Sequence, residues 1–187
     1  ANLLMILVLL PFWTSLLVRT SAWKVMLQQQ GVINDLLVAT GMIEETGRLV
    51  MINNQFGTIV AMTHILLPFM ILPLYANMEK LDATLNEAAA DLGSGPINTF
   101  FKITLPLTMP GVIAGALLVF IPATGEYVIH DLLGGGNVQM IGRQLYNEFA
   151  RNIDWPVAAA VAIVLLLILV FPMAIYQYYQ GKAAERV

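Results

Sequence analysis

The chain has 187 residues, of which 58% are hydrophobic and only 11% are charged, and its formal net charge is −3. This composition excludes an ordinary soluble domain, because 9 basic and 12 acidic side chains are too few to cover a core of this size. The excess of acidic over basic residues argues against a nucleic-acid partner. The absence of cysteine excludes disulfides and thiolate metal sites.

Four mostly apolar stretches approach the roughly 20 residues that a membrane-spanning helix needs. The first, residues 3–18, is uncharged but short, and the chain begins without an initiator methionine, which indicates a fragment lacking its true N-terminus. The others are residues 57–77, 108–125 and 156–178, the third beginning near Thr108 because Pro110 fits a first helical turn. The sequence therefore predicts an all-α polytopic membrane helical bundle, surrounded by lipid, with about four spanning helices.

The first and third connections differ in their patterns. Within residues 19–56, apolar residues recur at helical spacing between Gly31 and Gly41, which predicts a short interfacial helix. Residues 126–154 contain three consecutive glycines and mix aromatic with charged residues. They are interpreted as a loop that dips back toward the membrane.

The second connection carries the clearest local signals. Thr84 and Glu87 have the spacing of a capping box, which predicts a helix start, and Gly93 is placed to end that helix with a positive φ. An apolar stripe runs along the helix at Leu85, Ala88, Ala89 and Leu92. Pro96 opens a second short helix that Pro106 closes. Helices this short are marginal alone, so they require a partner surface.

The run Glu87-Ala88-Ala89-Ala90-Asp91-Leu92-Gly93, with Pro106 and Gly111 at a specific distance, resembles the EAA loop of permeases in binding-protein-dependent ABC importers. Residues 67–75, 120–129, 132–135, 141–143 and 154–158 are similar to the permeases of spermidine/putrescine importers. His130 departs from that pattern, which often has proline there. The resemblance covers nearly the whole chain and implies a type I ABC importer transmembrane domain. Such permeases usually have six spanning helices, so the first one or two would precede this sequence.

The resemblance also implies a topology and a set of partners. Residues 79–106 would form a cytoplasmic coupling loop that docks in a cleft of the ABC ATPase subunits through Glu87, Ala88, Ala89, Asp91, Leu92, Gly93 and Pro106. A second permease subunit, a periplasmic substrate-binding protein and a polyamine would complete the system in the bacterial inner membrane. Basic residues are distributed evenly between the two sides, so the positive-inside rule gives this orientation no independent support.

A candidate substrate pathway follows from the charged and aromatic residues after the third span. Glu126 directly follows an uncharged stretch, where an ionisable group usually faces a cavity or an ion path. Its carboxylate and that of Asp131 are suitable counter-charges for a polyamine, and Tyr127, Tyr146 or Trp155 could hold an ammonium by cation–π attraction. Glu126 is equally compatible with an ordinary interfacial acid. Glu148 is a weaker candidate, and Asp154 is interpreted as a helix N-cap.

The sequence is also compatible with three alternative functions. A fragment of an ion-coupled secondary transporter would have sites at broken helices but no ATPase-docking loop. A redox membrane anchor would need facing histidines, whereas His64 and His130 lie on different segments. An ABC permease for another small solute is the third alternative. The sequence contains no catalytic, metal or cofactor motif, so any ATP hydrolysis is assigned to another subunit. Gly111 and Gly115 form a GxxxG pattern, which predicts a close helix contact.

Overall fold

The computed structural model describes residues 2–136 and 139–184, with side chains described for residues 3–136 and 139–178. These residues contain helices and turns but no strand, so the predicted all-α class is confirmed. The α-helices are α1 (Asn2–Leu9), α2 (Leu16–Met26), α3 (Val32–Ala39), α4 (Gln55–Met78), α5 (Thr84–Asp91), α6 (Pro96–Thr99), α7 (Leu105–Gly125), α8 (Val128–Leu133), α9 (Ile141–Tyr146) and α10 (Trp155–Ala184). Two 3₁₀ turns (Leu10–Trp13 and Glu45–Gly47) and two π-helical segments (Phe100–Thr104 and Asn147–Arg151) complete the described elements.

Three of the described helical stretches are long and apolar enough to cross a membrane. They are Gln55–Met78, Pro96–Gly125 and Trp155–Tyr178. The first and last coincide closely with the predicted spans 57–77 and 156–178. The middle stretch is longer than the predicted span 108–125, because helical structure already begins at Pro96.

The predicted first span, residues 3–18, is not one continuous helix. A short break within it separates the helical stretch Leu3–Trp13 from Leu16–Met26, which continues beyond the predicted span, and the two stretches are bent by 100°. Thr14 turns away in an extended conformation, and its backbone amide and hydroxyl both donate to the Pro11 carbonyl. Ser15 then accepts a hydrogen bond from the Val18 amide and begins a new helix. Average hydropathy alone does not detect such a break, because the two polar residues Thr14 and Ser15 lie between apolar runs on both sides.

Pro106 does not close a second short helix, which corrects the prediction from sequence. The chain continues from α6 through the π-helical segment Phe100–Thr104 into α7. The amide of Leu105 donates to the Phe100 carbonyl, five residues back, so the turn before Pro106 is wider than an α-helical turn. This widening gives room to a proline ring that would otherwise clash with the preceding turn.

The described chain forms two compact units, residues 1–66 with 121–187, and residues 67–120. The first unit has a core of buried side chains from α4, α8 and the segment between α2 and α4: Leu27, Met51, Ala61, Ile65, Ile129 and Leu133. The helix predicted between Gly31 and Gly41 is confirmed as α3. The prediction of a loop over residues 126–154 is wrong over most of that range. Its apolar residues Ile129 and Leu133 are fully buried, which favours the short helix α8 over an irregular loop.

Within the second unit, α7 packs closely against the second half of α4. A Cβ atom added to Gly111 would lie 2.6 Å from the Cβ of Asn77, and one added to Gly115 would lie 2.7 Å from the Sδ of Met70. The close helix contact predicted from the GxxxG pattern is therefore confirmed.

Because Gly111 has no room for a side chain, Gly111→Ala should lower the thermal stability of the complete permease. Overpacking of this kind costs about 1–3 kcal/mol. Gly125→Ala is the matched control, since a Cβ there meets nothing within 4 Å. Thermal unfolding of both purified variants in detergent measures the difference, and equal midpoints would contradict this contact.

Candidate functional site

The helix α5 begins in a different way from the predicted capping box. Thr84 is the first helical residue rather than the N-cap, and the cap position, Ala83, has no side-chain acceptor. Asp82 instead accepts the Thr84 amide at 3.0 Å through Oδ1. This backbone hydrogen bond lowers the pKa of Asp82 from its ordinary value. The capping-box prediction was wrong because Asp82, two residues earlier, is an equally good acceptor for an unpaired amide.

The end of α5 matches the prediction. Gly93 has a φ of +77°, in the left-handed region that favours glycine. Its amide donates to the Ala90 carbonyl at 2.9 Å, and the Ser94 amide donates to the Ala89 carbonyl at 2.9 Å. These two bonds form a Schellman motif, which fixes the direction in which the chain leaves the helix.

The apolar stripe of α5 is mostly exposed. Ala89 is buried, but Leu85 is exposed and Leu92 is 88% exposed. Ile97 and Phe101, in the helical stretch that follows, are also exposed and line an open groove of about 420 Å³. The carboxylates of Glu87 and Asp91 lie on exposed residues of the same helix. Residues 85–101 therefore present apolar and acidic groups with the character of a docking surface.

Glu126, the first candidate pathway residue, caps α8. Its Oε1 accepts the backbone amides of Val128 at 2.7 Å and Ile129 at 3.1 Å, and the residue is half-buried. The carboxylate is therefore held at the N-terminal end of the helix, where negative charge is favourable. This position gives Glu126 a structural role in addition to the predicted one.

Asp131 is the centre of an ion cluster. Its Oδ1 lies 3.0 Å from Nη2 of Arg151 and 3.5 Å from Nη2 of Arg143. The side chain of Arg143 is only 10% exposed and donates to the Gly135 carbonyl, whereas that of Arg151 is 53% exposed. Sequence reasoning did not assign a role to either arginine. Arg151 lies 20 residues from its partner, so no local spacing could have identified this pair.

The aromatic candidates are only partly brought together. The rings of Tyr127 and Tyr146 are stacked, with centroids 4.5 Å apart and planes inclined by 11°. The guanidinium of Arg151 lies over the Tyr146 ring, 5.9 Å from its centroid. One short segment of the first unit thus contains Glu126, Tyr127, Asp131 and Tyr146. Trp155 lies beyond that segment, at the start of α10.

The remaining acids of this segment have local partners. Glu148 accepts hydrogen bonds from Gln144 at 2.6 Å and from Asn152 at 2.9 Å. Asp154 accepts the Val157 amide at 3.2 Å, which confirms that it is the N-cap of α10. Among the residues that the structure describes, no group of three potential ligands is arranged to hold a metal ion.

His130 is buried in α8 beside these residues. Its Nδ1 lies 3.1 Å from the Glu126 carbonyl oxygen. Burial lowers the pKa of His130 from its ordinary value, since it penalises the charged ring, and Arg143 acts in the same direction. The carbonyl and carboxylate of Glu126 oppose this change without reversing it.

The lowered pKa predicts a loss of stability in acid. The unfolded chain binds a proton at His130 near pH 6.5, while the folded chain resists protonation until the pH is lower. Stability is thus fully present above pH 6.5 and declines below it, by at most ~1.4 kcal/mol per pH unit. Thermal unfolding of the complete permease from about pH 5 to about pH 8 measures this. His130→Gln should flatten the profile, and an unchanged profile in that variant would contradict this account.

Comparisons with known proteins complete the description of the site. The family model for the binding-protein-dependent transport system inner membrane component matches residues 2–183. The chain is 44% identical over 180 residues to the spermidine/putrescine transport system permease protein PotB of Haemophilus influenzae, covering 96% of this chain and 62% of that protein. It is 41% identical over 174 residues to PotB of Escherichia coli K12, covering 93% of this chain and 62% of that protein.

A more distant relative has a less specific name. The inner membrane ABC transporter permease protein YdcU of Escherichia coli K12 is 32% identical over 176 residues, covering 89% of this chain and 56% of that protein. The chain thus spans about three fifths of the length of the curated relatives it matches.

Proposed function

This chain belongs to the family of binding-protein-dependent transport system inner membrane components, and from that premise we propose that it is part of a permease subunit that imports polyamines at the expense of ATP. It is a multi-pass protein of the inner membrane. Spermidine and putrescine are the proposed cargo, because both PotB relatives are named for that transport system. ATP hydrolysis would occur on separate ATPase subunits.

The exposed surface of α5 is the observation that supports coupling to an ATPase. A helix of eight residues is marginal by itself, yet α5 ends in a fixed Schellman turn and leaves Leu85 and Leu92 uncovered. Docking of this helix would bury the apolar side chains and bring Glu87 and Asp91 near basic groups of a partner. The resemblance to the EAA loop supports the ATPase subunit as that partner.

In the proposed mechanism, ATP-driven closure of the two ATPase subunits moves α5 together with the helix that begins at Pro96. Because the chain is continuously helical from Pro96 to Gly125, displacement at its cytoplasmic end is transmitted along the proposed span. The path would then open alternately to the two sides of the membrane. A second permease subunit and a periplasmic substrate-binding protein complete the proposed importer.

Co-purification tests the proposed assembly. The complete permease carrying this chain should be isolated together with the ATPase subunit encoded beside it. A secondary transporter needs no such subunit, so reproducible isolation of the permease without the ATPase would favour that alternative.

The proposed topology predicts the side of the membrane on which each loop lies. A cysteine placed at Asn98 should react with an impermeant thiol reagent only in broken cells, whereas one at Thr46 should react in intact spheroplasts. Both positions are exposed, and this chain contains no native cysteine that could react with the reagent. Labelling of Asn98→Cys in intact spheroplasts would overturn the orientation.

A further inference from the structure

The exposed cation of the Asp131 cluster occupies a position suited to an ammonium group. Asp131 contacts two guanidinium groups, but the two arginines have different environments. Arg143 lies in α9, is nearly buried and also donates to the Gly135 carbonyl. Arg151 is the last residue of a π-helical turn, and about half of its side chain is exposed. Arg143 is thus the fixed counter-charge, and Arg151 is the one that can be displaced.

The surroundings of the Arg151 guanidinium combine charge and aromatic surface. One carboxylate oxygen of Asp131 accepts its hydrogen bond at 3.0 Å, and the Tyr146 ring lies below it. Tyr127 stacks on Tyr146 and holds that ring in place. A carboxylate next to an aromatic face is also the arrangement that binds a primary or secondary ammonium.

The charges of Asp131, Arg143 and Arg151 determine how a polycation interacts with the position that Arg151 occupies. Asp131 and Arg143 together are neutral, so the presence of Arg151 makes this group of three net positive. An ammonium group of a polyamine that approached Asp131 would be repelled by the Arg151 guanidinium until Arg151 moved away. Because the side chain of Arg151 is half-exposed, its ion pair with Asp131 contributes little free energy, and its guanidinium becomes hydrated when it leaves.

We propose that Arg151 is a tethered cation that occupies an ammonium-binding subsite formed by Asp131 and Tyr146, and that the cationic cargo displaces it. This inference rests on the proposed function, since it requires a polyamine as cargo. Arg151 thereby weakens binding of the cargo, and its position on the external segment 126–154 places the competition at the proposed entry to the path.

Equilibrium binding of radiolabelled spermidine to the purified complete complex, without its binding protein, tests the proposal. In Arg151→Gln the dissociation constant should fall by about tenfold, because one competing positive charge is removed. Arg151→Met is a second neutral variant, and it lacks the side-chain amide through which glutamine could itself form hydrogen bonds. Arg151→Lys keeps the tethered charge and should bind like the unmutated complex, as should Lys24→Gln, which removes a positive charge elsewhere in the external segments.

Asp131→Asn removes the carboxylate of the subsite and should raise the dissociation constant. An unchanged or raised dissociation constant in both neutral variants of Arg151, or no saturable binding in them, would overturn the inference. Spermidine uptake by the unmutated complete system separates this failure from a failure of the proposed function. If that system transports spermidine but the Arg151 variants have an unchanged dissociation constant for it, the proposed role of Arg151 is wrong and the proposed function is unaffected.

Discussion

Replacing Gly93 with valine is expected to lower transport by about tenfold or more. Gly93 has a φ of +77°, and a β-branched residue in that conformation costs about 1–2 kcal/mol. The chain will relieve this strain by changing the end of α5, which alters the direction of the segment leading to Pro96. A loss of only ~1.4 kcal/mol in docking lowers association with the ATPase tenfold.

Gly41→Val is the matched control for this experiment. Gly41 also has a positive φ, +72°, and open space around it, but it follows α3 in the proposed external segment. Both variants are equally strained, so only a specific role of α5 makes their phenotypes differ. Retention of the ATPase and of full transport by Gly93→Val would remove the docking role from this loop. Membrane insertion, measured by immunoblotting of membranes, should be normal for both.

The second large effect is expected from Glu126→Gln, which should reduce polyamine uptake by roughly tenfold. Glutamine retains an Oε1 that can accept the amides of Val128 and Ile129, so α8 stays capped while the negative charge is lost. Loss of one ionic hydrogen bond to an ammonium corresponds to about 1.5–3 kcal/mol. Binding-protein docking and subunit assembly should remain normal.

Glu44→Gln removes a carboxylate from an exposed position of the other segment proposed to be external, residues 19–56, and serves as the control. It should leave uptake unchanged. If capping of α8 is the only role of Glu126, then Glu126→Gln will also transport at the unmutated rate, and the residue does not belong to the pathway. Measurement of initial uptake rates of radiolabelled spermidine and putrescine distinguishes these outcomes.

Local signals in the sequence predicted part of the structure of residues 82–106. A glycine that ends a helix with positive φ needs no tertiary partner, so the stop at Gly93 could be identified in advance. The start could not be assigned with the same accuracy, because Asp82 and Thr84 compete as acceptors for the first amides. The widened turn before Pro106 was missed for a different reason. A proline breaks or bends a helix in most sequence patterns, and a π-helical segment has no comparable signature.

The arrangement around Asp131 depended on contacts that sequence patterns do not encode. Hydropathy identified Glu126 as an acid following an apolar stretch, but its role as a cap requires the turn before α8. The pairing of Asp131 with Arg151 and the stacking of Tyr127 on Tyr146 join residues about 20 apart. Such pairs are brought together by the packing of short helices, for which single-sequence periodicity gives no evidence.

The most direct test of the central claim is ATP-dependent polyamine uptake. The complete permease would be reconstituted into proteoliposomes with its partner permease, ATPase subunits and binding protein, and supplied with radiolabelled spermidine. We predict accumulation that requires ATP on the ATPase side and binding protein on the other, and whose rate falls by about tenfold or more in Gly93→Val. Spermidine accumulation driven by an ion gradient without ATP, or no spermidine accumulation by a system that hydrolyses ATP, would contradict the account.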